Sequence, residues 1–219
     1  INQNRQPRSP PHGKKNTKMN RPHFGTSTPD HPAALQDPAE LDQFIAYLVS
    51  KNVRSYLEIG ARYGGTFERV MMALPKGSVG VAIDFPGADF GDERSAEDLV
   101  ATNRRLRQNG YDVRCIFGPS TAWEVYRLSH QPTRTPYDAI LIDGDHSYKG
   151  VYEDWTMYGP CGRLVAFHDI AAPDGYANQA GCEVEVGRLW TELKPIFPHV
   201  EFITPNSNMG IGVIERNDA

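Results

Sequence analysis

Five short apolar runs alternate with stretches of helical spacing, and this alternation restricts the fold more than any other feature of the chain. The runs are 54–59 (RSYLEI), 78–83 (SVGVAI), 112–117 (DVRCIF), 137–142 (YDAILI) and 163–167 (RLVAF). A glycine or an acid follows each of the first four, and His168-Asp169 follows the last. Runs this short and this continuously apolar suit strands covered on both faces, and helices between them supply the crossovers of a parallel sheet. The first helix opens with Asp37 as cap, Pro38 at the first helical position and Glu40 completing a capping box. Leu41, Phe44, Ile45 and Leu48 then share one face. Further stripes are Phe67, Val70, Met71 and Leu74, then Ala96, Leu99, Val100 and Leu106. Tyr148, Val151, Tyr152 and Trp155 repeat the spacing as core packing, as do Val186, Leu189, Trp190 and Leu193. Residues 200–204 and 209–214 flank Pro205-Asn206-Ser207-Asn208 and read as a closing antiparallel hairpin. The expected fold is therefore α/β, three-layered and Rossmann-like, with a mostly parallel sheet and a C-terminal hairpin.

Composition divides the chain in two. Residues 1–29 hold five of the 17 prolines, six basic residues, no acid and only Ile1, Met19 and Phe24 as apolar residues. Such a segment cannot offset the entropy of ordering, so a flexible basic tail is expected there and a single domain over 30–219. The net charge of -4 then leaves -10 on that domain, which disfavours nucleic acid as a partner. No apolar run is long enough for a membrane span. Cys115, Cys161 and Cys182 lack CxxC spacing and fit a reducing, cytoplasmic setting. A homo-oligomer stays open.

In open α/β sheets, ligands bind outside the carboxyl ends of the strands. The first strand ends in Glu58-Ile59-Gly60-Ala61-Arg62-Tyr63-Gly64-Gly65-Thr66, the second at Asp84, the third at Gly118-Pro119-Ser120. Arg62 breaks the GxGxxG pattern of dinucleotide binding, and no phosphate-loop Gly-Lys-Ser/Thr follows. An acid before the first glycine repels a pyrophosphate and suits a cationic ligand. ExGxxxGG after strand one, with an acid ending strand two, resembles the class I S-adenosylmethionine-dependent methyltransferases over roughly residues 38–215. That resemblance implies Gly60, Gly64 and Gly65 along the methionine part of S-adenosylmethionine and Glu58 near its amino end. It also implies Asp84 on the ribose and Ser120 beside the adenine. The further acid that this family often carries after strand three is replaced by Thr121 and Ala122.

Strands four and five deliver Asp143, Asp145, His146, His168 and Asp169 to one rim. Carboxylates with imidazole suit a divalent cation such as Mn²⁺, Fe²⁺ or Zn²⁺. His146, at a helix start, is placed to take a proton from a hydroxyl. The pattern IDGxHxY…D…HD resembles the branch containing macrolide-sugar-type O-methyltransferases and cephalosporin-hydroxylase-like proteins. By that resemblance Asp143, His168 and Asp169 would hold Mg²⁺ or Mn²⁺ and His146 would be the base. Asp145 reads as a cap or a solvated acid, and Asp154 as the partner of a neighbouring basic group. Loops 85–92 and 172–181 are glycine-rich and poor in basic residues, which favours a hydroxylated, unphosphorylated substrate. The expected function is methyl transfer to a hydroxyl of a small molecule such as a sugar, a phenol or a natural product. The alternatives are a metal-dependent hydrolase or hydroxylase and a non-catalytic cofactor-binding protein.

Overall fold

The computed structural model describes residues 34–88, 95–131, 136–178 and 181–216. The expected tail over 1–29 lies outside them, as do 89–92 and 179–180 of the regions read as substrate loops.

Helix α1 (Pro38–Ser50) begins where Asp37 Oδ1 accepts hydrogen bonds from the Ala39 and Glu40 amides at 2.9 and 3.1 Å. Strand β1 (Ser55–Ile59), helix α2 (Gly65–Ala73) and strand β2 (Val79–Asp84) follow, then α3 (Ser95–Gln108) and β3 (Asp112–Phe117). A short helix α4 (Trp123–Ser129), for which no apolar stripe was expected, leads to β4 (Tyr137–Ile142). Helix α5 (Tyr148–Tyr158), a 3-10 turn (Gly159–Cys161) and β5 (Gly162–His168) complete the alternation. Helix α6 (Val186–Leu193) and strands β6 (His199–Phe202) and β7 (Ile211–Glu215) close the chain.

The sheet order is β3-β2-β1-β4-β5-β7-β6. Strands β1 to β5 are parallel, and β7 is antiparallel to both of its neighbours. Strand β6 lies two positions beyond β5, and the hairpin folds β7 into the gap between them. Side chains alternate between two cores, as the strand period requires. Tyr56 packs with Leu41, Phe44, Phe67, Met71 and Leu99 on one side of the sheet. Leu57 and Ile59 pack with Ile140, Val151, Phe167, Leu189 and Trp190 on the other. With both faces covered, the strands read as apolar runs rather than as an alternating pattern.

Three details differ from the sequence expectation. Glu40 does not close a capping box: its side chain is fully buried and accepts from Thr204 N, Thr204 Oγ1 and Gly210 N at 2.8, 3.1 and 2.9 Å. Val100 is 40% exposed because α3 buries Leu99, Thr102, Asn103 and Leu106 instead. Tyr152 is 49% exposed, while Asp154 and Tyr158 turn inward from α5. Among the described residues no helix is long and apolar enough to cross a membrane.

Candidate active site

The carboxyl ends of β1, β2, β4 and β5 meet on one rim. At β1 the chain turns on Gly60 with φ +85°, and a Cβ there would lie 2.0 Å from the carbonyl oxygen of Asp143. Glycine is required on both counts: L side chains avoid this φ, and the end of β4 leaves no room. Gly64, at φ +83°, precedes α2 and offers its first turn no side-chain cap. The buried Glu58 carboxylate takes over that role, accepting from the amide of Phe67 and from the Tyr56 hydroxyl at 2.7 Å. Gly65 starts the helix. Burial pushes the Glu58 pKa up to about 8, with the charges of Asp143 and Asp84 adding to the rise. Asp84, ending β2, is buried and accepts from the Arg62 amide at 2.9 Å and the Ser95 hydroxyl at 3.0 Å. Burial raises its pKa against those hydrogen bonds. The turn and Asp84 thus form one bonded unit.

At β4 and β5 the unit is electrostatic. His146 Nδ1 lies 2.8 Å from Asp169 Oδ2, and its Nε2 lies 3.5 Å from Asp143 Oδ1. His168 Nδ1 lies 3.0 Å from Asp143 Oδ1 and 3.3 Å from Asp169 Oδ1. Asp169 holds this position with φ +61°, a strained conformation for a residue with a side chain. Burial alone would lower the His168 pKa, but Asp169, Asp143 and Glu40 push it up to about 9. Burial likewise opposes protonation of His146, and the hydrogen bond it donates to Asp169, with the two carboxylate charges, outweighs it, so the pKa rises. Asp169 moves the other way: the two imidazoles overcome its burial and lower its pKa.

The expected metal set of Asp143, His168 and Asp169 does not fit this arrangement. Among the described residues no group of three or more His, Cys, Asp or Glu side chains is placed to hold a metal ion. The physical reason is pairing. Both carboxylates face the His168 Nδ1, and Asp143 also accepts from Gln36 Nε2, so these side chains pair with one another.

Two further expectations change. Asp154 pairs with no basic group among the described residues; it is 1% exposed and accepts from Ser120 Oγ at 2.6 Å, and burial pushes its pKa up to about 7. Ser120 also accepts at its carbonyl from Tyr158 Oη at 2.7 Å, so it is tied to α5. Asp145 is exposed and accepts from the Ser147 amide, a local turn role as expected. Gln36 gave no signal in the sequence. It is 2% exposed and donates from Nε2 to Asp143 Oδ2 at 2.7 Å. Its place one residue before a helix cap is the only hint, and many unrelated residues share it.

No family model matches the chain, and no curated protein matches it. Solved structures share its fold. One is an O-methyltransferase from Bacillus cereus in complex with SAH, at 18% identity and a TM-score of 0.59, covering 82% of this chain and 81% of that one. Another is the O-methyltransferase TomG from Streptomyces achromogenes, involved in tomaymycin synthesis and in complex with SAM. It is 17% identical with a TM-score of 0.61, over 83% of this chain and 81% of that one. The methyltransferase domain of bacterial CtHen1 is similar too, at 10% identity and a TM-score of 0.53, over 81% and 98%. The fold is therefore that of these methyltransferases, over most of each chain.

Proposed function

We propose that the chain transfers a methyl group from S-adenosylmethionine to a hydroxyl of a small molecule. The observation that carries this reading is the Asp169–His146 dyad beside Asp143, on the same rim as the Gly60 turn, in a fold shared with O-methyltransferases. Gly60, Gly64 and Gly65 are the residues to lie along the methionine part, with Glu58 at its amino end, Asp84 at the ribose and Ser120 at the adenine. The residues fit such a ligand: Glu58 is an acid raised by burial, and Gln36 Oε1 is a buried acceptor with no partner among the described residues. When bound, the cofactor supplies an electrophilic methyl group on a positively charged sulfur.

The protein's part is proton handling and positioning. Asp169 holds the proton on His146 Nδ1, which leaves Nε2 as the basic atom toward the substrate hydroxyl. Accepting that proton makes the imidazole a cation, which Asp169 and Asp143 stabilise in a partly desolvated setting. His168 favours the ionised form of Asp169. No step runs through a metal, because the expected ligands are committed to one another. A hydroxylated acceptor such as a sugar, a phenol or another natural product suits the few basic residues near the rim.

The test is methyl transfer by the full chain from labelled cofactor to a panel of sugars and phenols, in chelator. Turnover is expected to survive chelation and to fall about 10²- to 10⁴-fold in His146→Ala, with cofactor affinity retained. Full activity in that variant removes His146 as the base. Activity restored only by added Mg²⁺ or Mn²⁺ overturns the metal-free reading.

A further inference from the structure

Gln36 is buried beside the site, yet half of its amide is unused. Its Nε2 donates to Asp143 Oδ2 at 2.7 Å. A carboxylate only accepts, so this bond fixes which way the amide faces and turns Oε1 away from Asp143. Oε1 is buried and meets no donor among the described residues. The imidazole nitrogens beside Asp143 are turned to carboxylates: His168 Nδ1 faces Asp143 and Asp169, and His146 Nδ1 faces Asp169. A buried acceptor left bare destabilises the protein unless a ligand completes it.

The neighbourhood says what kind of donor is missing. Asp143 follows Ile142, which pairs with Ile59 of β1, and its amide donates to the Ile59 carbonyl at 2.9 Å. Glu58, one residue earlier, is fully buried and meets Tyr56 Oη and the Phe67 amide, with no cation on it among the described residues. Gln36, bonded to Asp143, therefore stands with two acids, Asp143 and Glu58, by the Gly60 turn. A compact cation with several N–H groups satisfies such a set; a neutral hydroxyl, with one, does not.

We propose that Gln36 is a binding residue for the ligand's primary ammonium group, which donates to Oε1 while Nε2 holds Asp143 in place. Resting on the methyltransferase reading, this assigns the ammonium to the α-amino group of the cofactor. The role has two sides: the acceptor reads the ligand, and the donor orients the carboxylate beside the base.

Calorimetric titration of the full chain with S-adenosylhomocysteine and with its deaminated analogue, which lacks only the ammonium, tests it. In the native protein the analogue is expected to bind at least about tenfold more weakly. In Gln36→Met, S-adenosylhomocysteine is expected to lose about the same factor while the analogue binds as it does to the native protein. Gln36→Glu retains an acceptor oxygen and is expected to restore the preference for the amino ligand, which holds the test open if the methionine variant folds poorly. Equal losses for both ligands in Gln36→Met, or no loss for either, overturn the proposal. A native protein that binds neither ligand removes the methyltransferase reading and this proposal with it. A native protein that binds both equally leaves that reading standing and overturns this one alone.

Discussion

At the carboxyl end of β1 the chain is positioned by its backbone. Gly60 takes a φ of +85° against the end of β4, and the amides of Gly60 and Ala61 both donate to the Ile83 carbonyl. At the ends of β4 and β5 the chain is positioned by charge. Asp143, His146, His168 and Asp169 hold one another through contacts of 2.8 to 3.5 Å, with Gln36 and Glu40 reaching in from the segment around the start of α1. The first half tolerates almost no change of shape, and the second almost no change of charge. A turn can therefore be damaged by one methyl group, whereas the cluster has to lose an ionised partner.

Gly60→Ala is the sharpest way to break the first half. A Cβ 2.0 Å from the Asp143 carbonyl requires β1 and β4 to separate at the rim, and the backbone strain adds to that. The expected cost is more than about 5 kcal/mol, outside the range of ordinary substitutions. Denaturant unfolding should show loss of the folded state; a variant with native stability would mean the turn has slack that the coordinates deny.

Glu40→Ala probes the second half away from its chemistry. Three donors on the hairpin side, Thr204 N, Thr204 Oγ1 and Gly210 N, would lose their buried acceptor. Leaving a buried donor unsatisfied costs about 1–3 kcal/mol and the three overlap, so a loss of about 5 kcal/mol is expected in denaturant unfolding. It should be accompanied by faster hydrogen exchange in β6 and β7. Unchanged exchange there would show that the hairpin is held by its apolar contacts alone.

The same division explains what could be read from the sequence. Strand positions were legible to within a residue or two because burial on both faces makes each run apolar, and a glycine, an acid or the His-Asp pair stops it. Asp37 was legible as a cap because capping is local. Insertion of β7 between β5 and β6 was not, since the hairpin alone is compatible with either strand next to β5. Gln36, Glu40 and Asp154 were missed or misassigned because their partners are distant in sequence, 107 positions for Gln36 and up to 170 for Glu40. The metal expectation is of a different kind. Spacing places carboxylates and imidazoles on one rim, but the same residues can converge on a cation or pair with each other. Val100 and Tyr152 show the limit of helical periodicity, where neighbouring positions 100° apart compete for the edge of a buried face.

Glu58 belongs to both halves: it caps α2 beside the backbone turn and is raised by the charge of Asp143. Its carboxyl has a pKa of about 8 in the folded chain against an ordinary 4.5, chiefly through burial. Between those values the unfolded chain gives up this proton and the folded chain keeps it, so the folded state binds more protons and stability falls as pH rises. The contribution is fully present below pH 4.5 and lost by about pH 8, at 1.36 kcal/mol per pKa unit a fall of about 4 kcal/mol. Other groups titrate in the same window, so the informative quantity is the difference between native protein and Glu58→Gln. Without ligand, the variant is expected to gain relative stability steadily from pH 5 to 8 in denaturant unfolding. With S-adenosylmethionine, the order should reverse in binding: a cation nearby favours ionised Glu58, and the amide cannot supply that charge. A flat difference curve would place the Glu58 carboxylate in a solvated setting, whereas unchanged cofactor affinity would leave it as a helix cap and nothing more.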